Sequence, residues 1–218
     1  KLHEEALKLV KKRVVAIKAL LNAGKSLSKL LISQKDYLLD QQKAVKETEL
    51  SMGVLSSQAN AFRNNIYKTS ITTTNLGIGT KELAQIQGTY SDNVGRAMVL
   101  NEEGLTAIAE MAKGTTLGAE GAAELAANME NFGISAKGSA KLVEGILNTS
   151  HAMGVNGAKV VKSIQKNMDL AQKYHFKGGI KGLAKMAALT TKFKMEMSSV
   201  AGFAEKLITP EGAIEVAA

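Results

Sequence analysis

The chain has 218 residues, a net charge of +8 and 45% hydrophobic residues, but only 4% aromatic residues, one proline, no tryptophan and no cysteine. The lack of cysteine excludes a disulfide framework and a thiolate metal site. A single proline near the end predicts a nearly all-α fold, in which the 20 glycines must supply the breaks. Few aromatic and many small apolar side chains argue against one compact core.

The charge is unevenly distributed along the chain. Residues 1–50 carry a net charge of +5, residues 51–130 carry −3 and residues 131–218 carry +6. Two basic ends therefore flank an acidic middle, which favours either a solubilising surface or a nearby anionic surface. The sequence contains no run of about 18 apolar residues, so no bilayer span is predicted. The first 21 residues lack the uninterrupted apolar core of a signal peptide.

The first predicted element is a long helix or coiled-coil rod over residues 1–68. Apolar residues recur at three- and four-residue steps from Leu2 to Leu21 and again over residues 25–68. Residues 22–24 (Asn-Ala-Gly) indicate a helix end or a tolerated kink between the two runs. A continuous helix of about 44 residues would be about 66 Å long, which suits an extended assembly better than a globular core.

Residues 69–79, rich in β-branched residues and ending in Gly-Ile-Gly, are predicted to be a linker. Thr80 and Ser91 are then expected to cap two short helices at their N-termini. Asn101 opens a further helix that is expected to run to about Lys113, with glutamates at the positive end of its dipole.

Residues 80–218 are predicted to form a repeat-like domain of short helices separated by glycines. Gly121, Gly138 and Gly157 follow one another at intervals of 17 and 19 residues. Ser135 and Asn156 are expected caps. The apolar residues expected to face inward are Ala122, Leu125, Ala126, Met129, Leu142, Val143, Ile146, Leu147, Val161, Ile164, Met168, Ala171, Ile180, Leu183, Ala184 and Ala187.

One candidate interaction feature emerges, a basic stripe at helical spacing. Its members are Lys159, Lys162, Lys166, Lys173, Lys181 and Lys185. The stripe is either a solvated face or a contact for an acidic protein wall or a phosphate backbone. It lacks the interleaved aromatic residues and the arginines of a base-reading site.

Catalytic, cofactor and metal sites are not predicted, so we expect a non-enzymatic protein. The segment Ala19-Leu-Leu-Asn-Ala-Gly-Lys-Ser26 resembles a phosphate-binding loop but follows a Lys-rich amphipathic pattern rather than a buried strand. The three histidines, His3, His151 and His175, have no partner at metal-ligand spacing.

Several segments together resemble the tail tape-measure proteins of tailed bacteriophages. They include Gly79-Thr-Lys-Glu-Leu-Ala-Gln-Ile-Gln87, Tyr90-Ser-Asp-Asn-Val-Gly-Arg96, Phe132-Gly-Ile-Ser135 and Phe176-Lys-Gly-Gly-Ile-Lys-Gly-Leu-Ala-Lys-Met186. The resemblance covers about residues 76–218 and consists of Gly-punctuated, Ala-rich helices rather than an invariant motif. The periodic tryptophan and phenylalanine of many tape measures are absent.

The resemblance implies a structural virion protein that lies inside the phage tail in several copies and is assembled in the bacterial cytoplasm. Its length would set the tail length, and it would leave the tail at infection to assist DNA delivery. The implied partners are the tail tube protein, tail-tip or hub proteins and further copies of itself, with transient contact to DNA or the host membrane. We expect the chain to be a segment of a longer polypeptide.

Two other functions compete with this interpretation. One is another ejected or membrane-active virion protein that forms a DNA passage through the host envelope. The other is a bacterial coiled-coil scaffold, for which heptads would have to continue beyond Lys68, and they do not.

Overall fold

The computed structural model describes residues 2–170, 179–200 and 202, with side chains from residue 11 onward. The described part contains α-helices, one short 3-10 turn and no strand, so the all-α prediction is confirmed. The helices are α1 (Leu2–Ser51), α2 (Ser56–Thr73), α3 (Thr80–Val94), α4 (Glu102–Gly114), α5 (Gly118–Glu130), α6 (Ala136–Ala152), α7 (Gly157–Lys166) and α8 (Ile180–Phe193).

The chain divides into two compact units, the first ending at Ala44 and the second beginning at Val45. The first unit is the greater part of the single helix α1. Its aliphatic side chains between Val14 and Leu39 are 45–73% exposed. A helix this long has its backbone hydrogen bonds satisfied internally, but it gains no packing energy from apolar side chains that stay in water.

Helix α1 ends at Ser51, and the helix predicted to continue to about Lys68 is interrupted here. Gly53 adopts a left-handed φ of 62°. Its N–H donates to the carbonyl of Leu50, and the N–H of Val54 donates to the carbonyl of Glu49. This arrangement satisfies the last carbonyls of the helix and ends α1 before α2 begins. By contrast, α1 continues as a helix through residues 22–24, where a cap or kink was expected.

The stretch predicted as a linker, residues 69–79, is helical as far as Thr73 and continues as a 3-10 turn over Thr74–Leu76. Thr69 and Thr73 are fully buried, and the Thr73 hydroxyl lies 2.8 Å from the Thr69 carbonyl oxygen. Burial of these side chains outweighs the modest helix propensity of threonine. The chain leaves the helix at Gly77, whose φ is 65°.

The second unit is a packed assembly in which helices adjacent in sequence are mostly adjacent in space. Helix α2 packs on α3 and α4, α3 on α5, α4 on α5 and α6, α6 on α7, and α7 on α8. The largest fully buried apolar side chains are Phe62, Ile66, Leu83, Ile86, Tyr90, Leu105, Ile108, Leu125, Met129, Ile164 and Leu183. They belong to one continuous cluster, so the expectation that composition works against a compact core is wrong for this unit.

Two predicted helix caps, Ser135 and Asn156, are confirmed, and Asn101, which was predicted to open α4, is also a cap. The side chains of Asn101, Ser135 and Asn156 each accept a hydrogen bond from a backbone N–H in the first turn that follows. Thr80 is not a cap but the first residue of α3, where Gly79 donates its N–H to the Glu82 carboxylate at 3.1 Å. Ser91 is also wrongly predicted, because it lies inside α3 and donates its hydroxyl hydrogen to the Arg96 carbonyl.

The predicted inward faces of α5 and α8 are confirmed, since all their named members are buried. On α6, Val143 and Ile146 are buried, whereas Leu142 and Leu147 are only partly buried against the core. Val161, Ile164 and Met168 are buried, and Ala171 lies outside the described residues.

Candidate interaction surfaces

The first three lysines of the predicted stripe lie together on α7. Helix α7 follows a turn at Gly154 and is capped by Asn156. Val160, Val161 and Ile164 are buried in the core on one side of the helix. Lys159, Lys162 and Lys166 are therefore left exposed on the other side. They line a shallow cavity of about 440 Å³ together with Met195, Glu196, Met197 and Ser198. Glu196 brings a negative charge to this group.

The next members of the stripe lie on a different surface. Lys181 and Lys185 are exposed on α8 and line a groove between α6 and α8 of about 790 Å³. Lys141, which the stripe did not include, contributes a third basic side chain from α6. The remaining lining is mostly apolar and comprises Gly138, Leu142, Gly145, Ile146, Thr149, Ser150, Met153, Ala184, Ala188 and Leu189.

The predicted single stripe is therefore wrong, because its lysines line two separate cavities. Lys173 lies outside the described residues. Residues spaced three or four apart in the sequence share a face only when they belong to the same helix. Between Lys166 and Lys181 the chain leaves α7 and enters α8, so the register of one helix does not carry over to the next.

A third cavity, of about 710 Å³, lies beside α4 and α6 and is mainly acidic. Its charged lining consists of Glu102, Glu103, Glu110, Glu144, Lys137 and Lys141. Lys137 forms an ion pair with Glu103, with 3.1 Å between Nζ and Oε2, and both side chains are largely exposed. Such a solvated pair contributes little to stability. Helix α6 therefore borders an acidic cavity and a basic-edged groove, and Lys141 lines both.

Two side-chain hydrogen bonds join different helices within the second unit. Tyr90 donates its hydroxyl hydrogen to the Glu130 carboxylate at 2.9 Å, and Arg96 lies 3.8 Å from the same carboxylate. Burial, and then this hydrogen bond, raise the pKa of Tyr90 above its ordinary range. Gln165 likewise donates to Glu124 at 2.6 Å and joins α7 to α5. Both contacts join helices and so contribute to the packing of the second unit.

Other chemical features of the sequence are placed as follows. The loop-like segment ending at Ser26 lies within α1, where the Ser26 hydroxyl donates to the Asn22 carbonyl. Its amides belong to a helix rather than to a phosphate cradle. In the part of the chain that the structure describes, no group of three or more His, Asp or Glu side chains is placed to hold a metal ion. None of the described helices combines the length and apolar character needed to cross a bilayer.

Sequence reasoning missed Lys141 and Glu196. Each comes from a segment that is distant in sequence from the lysines it joins, and only the packing of α6, α7 and α8 brings them near. The chain matches no protein family, curated protein or solved structure with which it was compared.

Proposed function

We propose that this chain is a structural, non-enzymatic segment of a phage tail tape-measure protein. The proposal rests on the exposure of the first unit. This unit is a single helix, and its aliphatic side chains over residues 14–39 are all at least 45% exposed. Exposed apolar surface of this extent is typical of a chain that is covered by neighbours in an assembly. The 50 residues of α1 would measure about 75 Å along the helix axis.

The remaining features are consistent with the same role. The short helices of the second unit carry the Gly-punctuated segments that resemble tape measures, and their basic groups suit acidic partner surfaces. Under this proposal the partners are the tail tube protein, tail-tip or hub proteins and further copies of the chain. The location is the interior of the virion tail, after assembly in the bacterial cytoplasm.

The second candidate function is an ejected, membrane-active virion protein. One observation favours it: α1 combines exposed lysines with exposed aliphatic residues, a combination that also occurs in helices that bind at a bilayer surface. The two functions are compatible, since a tape measure leaves the tail at infection.

The ruler role is tested by changing the length of α1 by whole helical turns, so that the remaining residues keep their angular positions around the helix axis. Deletion of residues 14–31 removes 18 residues, which is five helical turns, so the residues on either side keep their angular positions. The second unit is untouched. If the helix sets tail length, tails measured by electron microscopy shorten by about 27 Å, and a tandem duplication of the same 18 residues lengthens them by about 27 Å.

The matched control keeps the length and changes the surface. Substitution of Ile17 and Leu20 by alanine in the same gene should leave the mean tail length unchanged. Tails of unaltered length in both the deletion and the duplication would contradict the ruler role. If infectivity were lost at the same time, the ejected, membrane-active function would be favoured instead.

A further inference from the structure

The groove between α6 and α8 has a mainly aliphatic floor. Both helices pack on α7 but make little direct contact with each other, and the gap between them is about 790 Å³. Its buried lining residues, which we call the floor, are Ile146 and Ser150 on α6 and Ala184 and Ala188 on α8. The Ser150 hydroxyl donates to the Ile146 carbonyl at 2.7 Å, so this polar group is satisfied within its own helix.

The rim of the groove is basic, and none of the lining residues is acidic. Lys141 on α6 and Lys181 and Lys185 on α8 are exposed, and we call these three the basic rim. None of them forms an ion pair with another described residue. The positive charge on the two walls therefore has no counterpart in the groove, and a bound partner would have to supply it.

Gly145 exposes the backbone of α6 to the groove. It lies inside the helix, and beyond its own helical turns no atom lies within 4 Å of an added Cβ. Glycine destabilises a helix interior relative to alanine, and no contact within the described chain requires it here. By contrast, a Cβ at Gly88 in α3 would lie 3.3 Å from Cγ2 of Thr48. A glycine in the wall of a groove permits a second backbone to approach closely.

We propose that the groove between α6 and α8 binds an amphipathic α-helix of a partner protein. Its apolar side chains would contact the floor, and its carboxylates would lie beside the basic rim. The lining follows α6 from Gly138 to Met153, which is about 22 Å and matches a helix of about four turns. Lining residues recur at three- and four-residue steps on both walls, and such rows accept the side chains of a packed helix.

Other occupants fit these observations less well. The exposed helix α1 of a second copy carries eight basic and no acidic residues over positions 6–35, so the basic rim would repel it. Nucleic acid would neutralise the rim but would bring a phosphate backbone to the aliphatic floor. A fatty acid has a single carboxylate, whereas the lysines of the rim come from two walls.

The inference does not rest on the tape-measure proposal, because peptide binding and tail length are measured separately. The probe is a synthetic helix of about 15 residues made of leucine, glutamate and alanine. Its leucines recur at three- and four-residue steps, glutamates flank them on both sides, and one tryptophan replaces a central leucine. A second peptide of the same composition has scattered leucines and therefore no apolar face.

A fluorescent label on the full-length chain shows where the peptide binds. The chain has no cysteine and no tryptophan, so one introduced cysteine carries a bimane label and only the peptide can quench it by tryptophan contact. We expect quenching of the label at Thr149→Cys, on an exposed lining residue of the groove, by the amphipathic peptide alone. The matched control is Ser33→Cys on α1, where Ser33 is exposed and the label should not be quenched.

Substitutions of the lysines test the contribution of charge. Replacing the basic rim by glutamine should weaken the binding of the peptide about tenfold, and replacing it by arginine should preserve the binding. Binding should also weaken between 0.1 M and 1 M salt, because the Debye length falls from about 10 Å to about 3 Å. The matched control removes the same charge from α7 and should change the binding less than about threefold. It replaces Lys159, Lys162 and Lys166 by glutamine.

Gly145→Leu tests the close approach to α6. The added side chain would occupy the space of the docked helix, so we expect binding at least about tenfold weaker. Leucine is a better helix former than glycine, so the midpoint of thermal unfolding should not fall. The matched control is Gly24→Leu in α1, where an added Cβ likewise meets no atom within 4 Å and the binding should be retained.

Failure of the amphipathic peptide to quench the Thr149→Cys label would overturn the proposal. Quenching of the Ser33→Cys label, or equal weakening by the α7 control, would assign the peptide to another basic surface. Oleate that displaces the peptide and binds more tightly would assign the groove to a fatty acid. Oligomers in sedimentation that Gly145→Leu abolishes would assign it to a second copy.

Discussion

The carboxylate of Glu49 accepts two hydrogen bonds from the guanidinium of Arg63, one from Nε at 2.7 Å and one from Nη2 at 3.0 Å. The pair joins the last turns of α1 to α2. Glu49 is buried and Arg63 is partly exposed. The hydrogen bonds from Arg63 hold the pKa of Glu49 below its ordinary value, against the opposing effect of burial.

Removal of this pair should destabilise the second unit in a pH-dependent way. In Glu49→Gln we expect a midpoint of thermal unfolding a few degrees lower than in the parent chain at pH 7. A depressed folded pKa stabilises the fold above the unfolded value of about 4.3, and this contribution disappears as the pH falls through the folded value. The difference between the two chains should therefore be constant above pH 5 and shrink below about pH 4.3 in circular dichroism melts.

The control for this prediction is Lys46→Gln. Lys46 lies 4.0 Å from the same carboxylate but its side chain is 60% exposed. Its removal should leave the midpoint almost unchanged. A shift as large as that of Glu49→Gln would contradict the assignment of the stabilising contact to Arg63.

Gln87 supports the loop that precedes α4. Its buried amide donates to the carbonyl of Met98 at 2.7 Å and accepts from the N–H of Leu100 at 2.7 Å. In Gln87→Leu both backbone groups lose their partner, so we expect the free energy of unfolding to fall by about 2–5 kcal/mol in urea denaturation. Gln85→Leu, on the exposed side of the same helix, should change it by less than about 0.5 kcal/mol.

Gly157 permits a close approach of α7 to α6. A Cβ atom at this position would lie 2.9 Å from Cδ2 and 3.3 Å from Cα of Leu147. Gly157→Ala should therefore destabilise the second unit by about 1–3 kcal/mol, although alanine is the better helix former. At Gly145, inside α6, no atom lies within 4 Å of the added Cβ, and Gly145→Ala should stabilise by about 0.5–1 kcal/mol. Effects of the same sign in both variants would refute this distinction.

Burial of the Tyr90 hydroxyl, together with its hydrogen bond to Glu130, raises the pKa of Tyr90 and should produce an alkaline loss of stability. Because the pKa of Tyr90 is higher in the folded than in the unfolded chain, the protonated hydroxyl stabilises the fold. This stabilisation is complete below the unfolded pKa of about 10 and is lost as the pH rises above that value. At pH 8 we expect Tyr90→Phe to be about 1 kcal/mol less stable than the parent chain. The gap should narrow above pH 10 in urea titrations, and Tyr37→Phe, at an exposed tyrosine, should show no such gap.

The local elements of this fold were the most predictable. Asn101, Ser135 and Asn156 cap their helices with their own side chains, so the information lies within three residues of each helix start. The end of α1 also had a local signal, Gly53, but the apolar pattern continued beyond it and favoured a longer helix. Ser91 carries the same side chain as Ser135, yet the core contacts of α3 extend the helix past it.

The surfaces were less predictable than the elements. The sequence correctly indicates that Lys159, Lys162 and Lys166 share a face, because they belong to one helix. It does not indicate that Lys141 joins Lys181 and Lys185, since this depends on how α6 and α8 each pack against α7. The role of Gly157 was missed for the same reason, because a glycine that starts a helix and one that admits a neighbour look alike in the sequence.

The passage of α1 from the first unit into the second gives one helix two regimes of backbone exchange. Val45 and Glu49 are buried in the second unit, so the amides around them exchange with deuterium only when that unit opens. Amides over residues 11–39 are protected by helical hydrogen bonds alone, and they exchange whenever a few turns unwind. Protection should therefore rise steeply along an unbroken helix, near residue 44.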